Sequence, residues 1–265
     1  MSLQLRILGC GSSAGVPRIG GDWGQCDPTN PKNRRRRCSI LLSKQSSEGV
    51  THVLVDAGPD VREQLLDAGT SDLAGVVFTH GHADHCHGID EMRVVAINQR
   101  RRVPCFMDEA SSAKITKAFD YCFVKPPGSS YPPICEERRI HALKPFEVPG
   151  AGGAIGFTGF ELEHGDIRAL GFRIGNLAYT PDVKHIPAES VFLLDGLDVW
   201  IIDALRYKPH VSHFNVEEAL SWITRLKPKK AIITNMHVDI DYETLARELP
   251  ENVVPAYDGM SFDFT

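Results

Sequence analysis

Long apolar runs and an excess of positive charge are both missing from this sequence. No stretch approaches the roughly 18 consecutive apolar residues that a membrane-spanning helix needs, and residues 1–8 lack a charged segment followed by an apolar core. We therefore expect neither a membrane partner nor secretion. The net charge of −5 argues against a general nucleic-acid binder, so no stable nucleic-acid partner is expected.

Cysteine pairs of the Cys-x-x-Cys kind are missing as well. The seven cysteines are odd in number and scattered along the chain, so we expect no disulfide framework, and this usage is typical of a reducing compartment. We predict a cytoplasmic protein. A chain of 265 residues can bury a sizeable core without cross-links, and we predict that residues 1–265 form one domain.

The sequence does contain a cluster of histidines at residues 79–88, Thr-His-Gly-His-Ala-Asp-His-Cys-His-Gly. The apolar run at residues 75–78 predicts a buried strand that ends just before it. His80 and His82 can then point the same way, while Asp84 and His85 can turn back from the next element. Three nitrogen ligands and one oxygen ligand in a small volume suit Zn²⁺, Mn²⁺ or Fe²⁺. We predict half of a two-metal site; the alternative is a histidine-rich turn that binds no metal.

Strands predicted in the second half end in similar residues. A lone histidine after a strand is more often buried and hydrogen-bonded than a ligand. Four strands that end in His or Asp, after the histidine cluster, are hard to assign to packing alone. These residues are His164, Asp182, Asp203 and His237, after strands predicted at 155–162, 177–180, 199–202 and 231–234.

Three segments of the first half offer further polar groups. Residues 9–17, Gly-Cys-Gly-Ser-Ser-Ala-Gly-Val-Pro, follow a predicted strand, and their amides could face an oxyanion; a plain glycine turn explains them equally well. Asp56 ends a strand predicted at 51–55 and is a candidate to orient a metal-bound histidine or water. The arginines at 34–37 predict a solvated face or, alternatively, a grip on a phosphate.

Two longer segments lie after the histidine cluster. Residues 88–100 predict one helix, followed by a strand at 103–107 and a helix at 109–119. Residues 121–139 contain four prolines, so we expect irregular structure there. A loop of this length is often a lid, and we interpret it as a candidate substrate cover.

His213 lies just before a predicted helix. Asn215 and Glu218 have the spacing of a capping box ahead of an apolar helical pattern. The amides and the dipole of a helix N-terminus favour an anion. A histidine there can bind a phosphate oxygen or donate a proton to a leaving alkoxide. We favour the role of general acid; the alternative is a surface histidine without chemistry.

These motifs together resemble the signature motifs of the metallo-β-lactamase superfamily of hydrolases, and the resemblance covers essentially the whole chain. It implies an α/β protein built as a four-layer αββα sandwich, with a dinuclear site along one edge of its two sheets. It implies one metal position formed by His80, His82 and His164, a second formed by Asp84, His85 and His237, and Asp182 as a bridge. Asn235 follows Thr234 where relatives often carry the His of a Thr-His pair.

Within that superfamily the chain is similar to the cyclic phosphodiesterases of the PhnP type, which open 5-phosphoribosyl 1,2-cyclic phosphate. The segments that carry the similarity are residues 9–17, 56–60, 85–93 and 203–219. That family holds a structural zinc on a Cys-rich early loop closed by a late His. Here residues 20–37 contain only Cys26, and Val238 and Asp239 follow His237. We therefore predict no structural zinc.

The resulting hypothesis is a metal-dependent phosphodiesterase that hydrolyses a small cyclic or nucleotide-like phosphodiester. Its cofactors would be two divalent metal ions, Mn²⁺ or Zn²⁺ with Fe²⁺ as a further candidate, which activate a water for attack at phosphorus. The predicted catalytic residues are His213, Asp84 and Asp56, and the predicted substrate contacts are Ser12, Ser13, His213 and Arg206.

Two other classes of function stay open. One is a different hydrolase on the same scaffold, such as an RNA 3′-processing nuclease, a thioesterase or a lactonase; the chain lacks a long basic insertion that could hold an RNA. The other is a non-catalytic metal-binding or carrier protein. Base rates favour a homodimer.

Overall fold

The computed structural model describes residues 3–264, and within them fourteen strands form two seven-stranded sheets. In spatial order the first sheet consists of β14 (Ser261–Phe264), β1 (Leu3–Gly9), β2 (Ser39–Ser46), β3 (Gly49–Val55), β4 (Gly75–Val77), β5 (Val103–Met107) and β6 (Cys135–Arg139). The second consists of β13 (Val253–Pro255), β12 (Lys230–Thr234), β11 (Val199–Asp203), β10 (Leu177–Thr180), β9 (Ile167–Ile174), β8 (Ile155–His164) and β7 (Pro145–Val148).

Helices connect and cover these strands. They are α1 (Val61–Ala68), α2 (Ala83–Cys86), α3 (Met92–Gln99), α4 (Glu109–Ala118), α5 (Asp120–Phe123), α6 (Ala188–Val191), α7 (Val216–Leu226) and α8 (Tyr242–Glu248), with 3₁₀ turns at Pro31–Asn33, Ile89–Glu91 and Phe192–Leu194. No helix within residues 3–264 is long and apolar enough to cross a membrane.

Two apolar clusters follow from the alternation of side chains along the strands. The larger one lies between the sheets and continues to α7 and α8, and it includes Leu5, Phe160 and Trp200, which are fully buried. The smaller one lies where α1, α3 and α4 cover the outer face of the first sheet, and it includes Leu65 and Ile115. The predicted αββα sandwich is therefore confirmed.

The strand directions explain where polar residues gather. β3 runs parallel to β4, and β10 runs parallel to β11 and β12. β8 has the same direction as β10, because both are antiparallel to β9. The carboxyl ends of parallel strands lie at the same edge of a sheet, so the loops that follow them meet in space. This edge carries the candidate site.

Two of the predicted elements need correction. The helix predicted at 88–100 is interrupted, because Ile89–Glu91 forms a 3₁₀ turn before α3. The segment predicted to be irregular contains α5 and, at its end, the edge strand β6, which pairs in parallel with β5. Its charged sequence, Cys-Glu-Glu-Arg-Arg, lacks the apolar alternation of a half-buried strand, which is typical of edge strands that avoid further pairing.

The run of arginines at 34–37 holds the early loop in place. Arg35 is buried, and its guanidinium donates to Asn33 Oδ1 at 3.0 Å and to the His237 carbonyl at 3.3 Å. Arg36 pairs with Asp67 and Asp258, and Arg37 pairs with Asp60. Most of this run is therefore neither a solvated face nor a phosphate grip.

The loop at residues 20–37 contributes to a small apolar cluster. Cys26 is buried with Val16 and Val238, and its Sγ donates to the carbonyl of Ile240 at 3.1 Å. Arg35 Nη1 lies 3.8 Å from the same sulfur.

Candidate metal centre

Six of the seven predicted ligands come together in two groups that share Asp182. The first group is His80, His82, His164 and Asp182; the second is Asp84, His85 and Asp182. Within each group the ligand atoms all lie within 4.8 Å of one another. The strands β4, β8 and β10 deliver His80, His164 and Asp182, and the short helix α2 returns Asp84 and His85 to the same point.

The first group has the spacing of a tetrahedral site. His82 Nδ1 lies 3.0 Å from His80 Nε2 and 3.3 Å from His164 Nε2. Asp182 Oδ2 lies 3.4 Å from His164 Nε2 and 3.7 Å from His80 Nε2. Metal–ligand bonds of about 2.0–2.1 Å place tetrahedral ligands about 3.3–3.4 Å apart. These four residues therefore fit a metal such as Zn²⁺.

The ionisation of the three histidines suits the same role. Burial lowers the pKa of His80, His82 and His164, most strongly for His80, so that the neutral imidazole is favoured. The neutral form has the free lone pair that a metal needs. His164 is also oriented by its other nitrogen, since Nδ1 donates to the Ser212 carbonyl at 2.7 Å.

The second group surrounds a buried nitrogen that has no hydrogen-bond partner. His85 Nε2 lies 3.4 Å from Asp84 Oδ2 and 3.3 Å from Asp182 Oδ1 but makes no hydrogen bond. Burial would lower the pKa of His85, but the carboxylates of Asp182, Asp56 and Asp84 outweigh it and raise that pKa. Three carboxylates this close together are stabilised by a cation between them. The donor atoms of Asp84, His85 and Asp182 fit a second metal ion.

Asp56 lies behind His85 and faces away from the solvent. Its carboxylate accepts from the Thr79 amide and hydroxyl, both at 2.8 Å, and from His85 Nδ1 at 2.8 Å. The backbone of Asp56 is left-handed, with φ +66°, which turns the chain after β3 towards Thr79. A carboxylate on the second imidazole nitrogen fixes the tautomer and the ring plane, so the structure gives Asp56 a positioning role.

His237 is the one predicted ligand that belongs to neither group. Its Nε2 contacts the guanidinium of Arg18, and its Nδ1 lies 3.1 Å from Asp239 Oδ2. Asn235 lies closer to the second group, with Nδ2 3.4 Å from Asp182 Oδ1. We therefore correct the prediction: within residues 3–264, the donors grouped at the second position come from Asp84, His85 and Asp182.

His213 faces the first group and is held from behind by Asp203. The rings of His213 and His164 have centroids 4.6 Å apart, and His213 Nδ1 donates to Asp203 Oδ2 at 2.8 Å. Burial would lower the pKa of His213, but the Asp203 carboxylate raises it to about 9. This raised pKa favours the protonated imidazole at neutral pH.

Asp203 is a site residue to which the sequence assigned no role. It is fully buried at the end of β11 and also accepts from the Val183 amide at 3.0 Å. Burial raises its pKa to about 6 despite the opposing effect of His213. The available signals were its place at the end of an apolar strand and the similarity of residues 203–219 to the PhnP type.

A cavity of about 470 Å³ opens over these residues. The predicted substrate contacts Ser12, Ser13 and Arg206 all line it. Ser12 is buried, and its hydroxyl has no hydrogen-bond partner. Arg18 and His210 also line the cavity and were not predicted. None of these lining residues comes from 121–139.

The chain shows clear similarity to known proteins. Residues 51–236 match the β-lactamase superfamily domain. A crystal structure described as a new diphosphatase from the PhnP family is 33% identical, with a TM-score of 0.88, and the match covers 99% of this chain and 98% of that one. The chain belongs to the metallo-β-lactamase superfamily, has the fold of its metal-dependent hydrolases, and carries a His/Asp cluster that could hold metal. Within the superfamily it is of the PhnP type.

Two further relatives are named for other activities. The octanoyltransferase of Porphyromonas gingivalis (strain W83) is 29% identical over 259 residues, which cover 96% of this chain and 50% of that protein. Coenzyme PQQ synthesis protein B of Methylobacterium sp. (strain 4-46) is 24% identical over 228 residues, which cover 77% of this chain and 74% of that protein. The chain thus spans about half the length of the octanoyltransferase.

Proposed function

We propose that this protein hydrolyses a small cyclic or nucleotide-like phosphodiester, such as 5-phosphoribosyl 1,2-cyclic phosphate or a 2′,3′-cyclic nucleotide. The observation that carries the proposal is the position of His213. A protonated imidazole, fixed by a buried carboxylate, faces the cavity directly beside the predicted metal ligands. Hydrolysis of a diester releases a poor alkoxide leaving group, which needs such a proton.

The residues of the two groups would hold divalent metals, with Zn²⁺, Mn²⁺ and Fe²⁺ as candidates. When bound, such metals neutralise charge on the phosphoryl oxygens and lower the pKa of an attacking water. The protein holds the ligands in advance, because Asp56 orients His85 and the Ser212 carbonyl orients His164. This rigidity avoids reorganisation during the reaction.

His213 supplies the proton to the departing oxygen. Its Nδ1 is committed to Asp203, so Nε2 is the nitrogen free to donate. After donation the Asp203 carboxylate no longer faces a cation. Its interaction with the imidazolium therefore favours return of the proton and completes the cycle.

The cavity wall is suited to an anionic substrate. Arg18, Arg206 and His210 line it, and the unpaired Ser12 hydroxyl adds a neutral donor. Arg206 Nη2 donates to the Pro209 carbonyl at 2.9 Å, which fixes its guanidinium. Guanidinium groups bind phosphoryl oxygens well because they present several donors in one plane.

We expect the Asp203→Asn variant to lose activity at alkaline pH. A general acid works only while protonated, so activity falls as pH rises through its pKa. Asp203 raises the pKa of His213 to about 9. Without the negative charge of Asp203 the pKa of His213 should fall. The descending limb of the plot of kcat against pH should therefore move to lower pH. An unchanged limb with a uniformly lower kcat would contradict the role given to Asp203.

The proposal is tested by turnover of metal-loaded protein on four substrates. These are 5-phosphoribosyl 1,2-cyclic phosphate, a 2′,3′-cyclic nucleotide, a dinucleoside diphosphate and an acyl thioester. The last two probe the chemistry named for the PhnP-family diphosphatase and the octanoyltransferase. Opening of a cyclic diester as the fastest reaction supports the proposal. Preference for the diphosphate or the thioester, or no turnover by fully metallated protein, overturns it.

A further inference from the structure

We propose that Asn235 makes the two metal positions unequal, one binding metal tightly and one weakly. The inference concerns metal binding alone and does not depend on which substrate is hydrolysed. It starts from the donor count. The first group offers four ligand atoms, whereas the second offers three, of which one belongs to the shared Asp182.

Asn235 lies where a fourth donor to the second position would be expected. It follows β12, is 2% exposed and adopts a left-handed backbone with φ +61°. That conformation aims its side chain at the carboxylates of neighbouring strands. Nδ2 lies 3.1 Å from Asp203 Oδ1 and 3.4 Å from Asp182 Oδ1.

The orientation of the Asn235 amide follows from these neighbours. Nδ2 also lies 3.1 Å from His213 Nδ1, but the reverse orientation would place the amide oxygen against two carboxylate oxygens, which is the less favourable arrangement in a buried site. The Oδ1 atom instead lies 3.9 Å from the buried Cys38 thiol. Asn235 therefore presents N–H donors towards the second position, and an N–H donor cannot bind a metal.

The next histidine along the chain does not replace it. His237 belongs to neither group of donors, and its Nε2 contacts the guanidinium of Arg18. The backbone also holds His237 away, because its amide donates to the Leu205 carbonyl at 2.9 Å. The second position thus keeps three donors, one of them the Oδ1 of Asp182, whose Oδ2 faces the first group.

The consequence is a difference in affinity. A metal with three neutral imidazoles and one carboxylate is held by protein alone. A metal at the second position needs solvent or substrate oxygens to complete its shell. Loss of a group that only hydrogen-bonds to a metal ligand costs about 10–100-fold in affinity. The lack of a ligand should cost at least as much, so we expect the second Zn²⁺ to bind at least about 100-fold more weakly than the first.

The test is competition of metal-free protein with a chromophoric chelator for Zn²⁺, which yields two dissociation constants. Wild type should give one tight and one weak constant. Asn235→His should tighten the second by at least about 10-fold, while Asn235→Ala should leave it weak. In the double variant Asn235→His, Asp84→Ala, the gain should disappear, because Asp84 belongs to the same position.

Three results would overturn the inference. They are equal constants in wild type, a folded Asn235→His protein with an unchanged second constant, and a gain that persists without Asp84. If Asn235→His does not fold, as judged by circular dichroism, Asn235→Asp takes its place, since a carboxylate is also a ligand and is close in size. Because zinc binding is measured without substrate, failure of the proposed function leaves this result interpretable.

Discussion

His80→Ala is expected to remove the tight metal and to abolish hydrolysis. His80 is buried at the end of β4, and its Nε2 lies within 3.7 Å of both His82 Nδ1 and Asp182 Oδ2. Removal of the His80 imidazole leaves three donors in the first group and one tetrahedral position without a protein ligand. Removal of a group that only hydrogen-bonds to a metal ligand lowers metal affinity or activity about 10–100-fold. We therefore expect removal of a ligand to lower activity more than about 100-fold.

Metal content and turnover measured on the same sample check this result. His141→Ala is the matched control, because it also removes one imidazole but lies exposed and outside both groups. The control should keep wild-type metal content and activity. Full activity in His80→Ala with its zinc retained would show that the first group is not the metal site.

His213→Ala is expected to lower kcat by about 10²–10⁴-fold while metal content stays unchanged. The side chain belongs to neither ligand group, yet its ring lies beside His164 and lines the same cavity as Asp182. A general acid matters most when the leaving group is a poor one. The loss should therefore be large for an alkyl diester and small for a nitrophenyl diester, whose leaving oxygen needs no proton.

The dependence on the leaving group separates this role from simple substrate binding. A histidine that only binds the phosphate would slow both diesters alike and would raise KM. His185→Ala serves as the control, since His185 is exposed and does not line the cavity. Equal losses for the two diesters would assign His213 to binding and would remove the acid from the mechanism.

The histidine cluster could be predicted from sequence because strand periodicity alone determines its placement. An apolar run of β-branched residues ends at Val77, so the polar residues that follow it emerge at one edge of the sheet. The same argument placed His164 and Asp182 after β8 and β10. The ends of strands therefore located most of these residues, and the resemblance to the metallo-β-lactamase superfamily assigned them to two metal positions.

His237 shows where that argument fails. Asn235 takes a left-handed conformation, and the Met236 amide then donates to the Cys10 carbonyl at 2.9 Å. After this turn His237 lies three residues past the end of β12 and contacts Arg18 and Asp239. A left-handed residue inside a short loop leaves no periodic pattern, so the sequence could not reveal which residue faces the metals.

Arg18 could not be predicted for a different reason. It sits in an early loop rich in glycine and proline, lines the cavity, and contacts His237, 219 positions further along the chain. The four arginines at 34–37 are the more conspicuous positive segment in the sequence. In the structure, ion pairs with carboxylates neutralise Arg36 and Arg37. Long-range pairing of loops is a property of the folded chain and not of local pattern.

The central claim is that water attacks phosphorus in a diester held over the two ligand groups. Turnover of the cyclic diester by metal-loaded protein in ¹⁸O-enriched water, followed by ³¹P NMR, tests it most directly. The account predicts one labelled oxygen in the phosphate monoester product and no product from His80→Ala. Label in the sugar hydroxyl, or no diester turnover by folded and fully metallated protein, would contradict it.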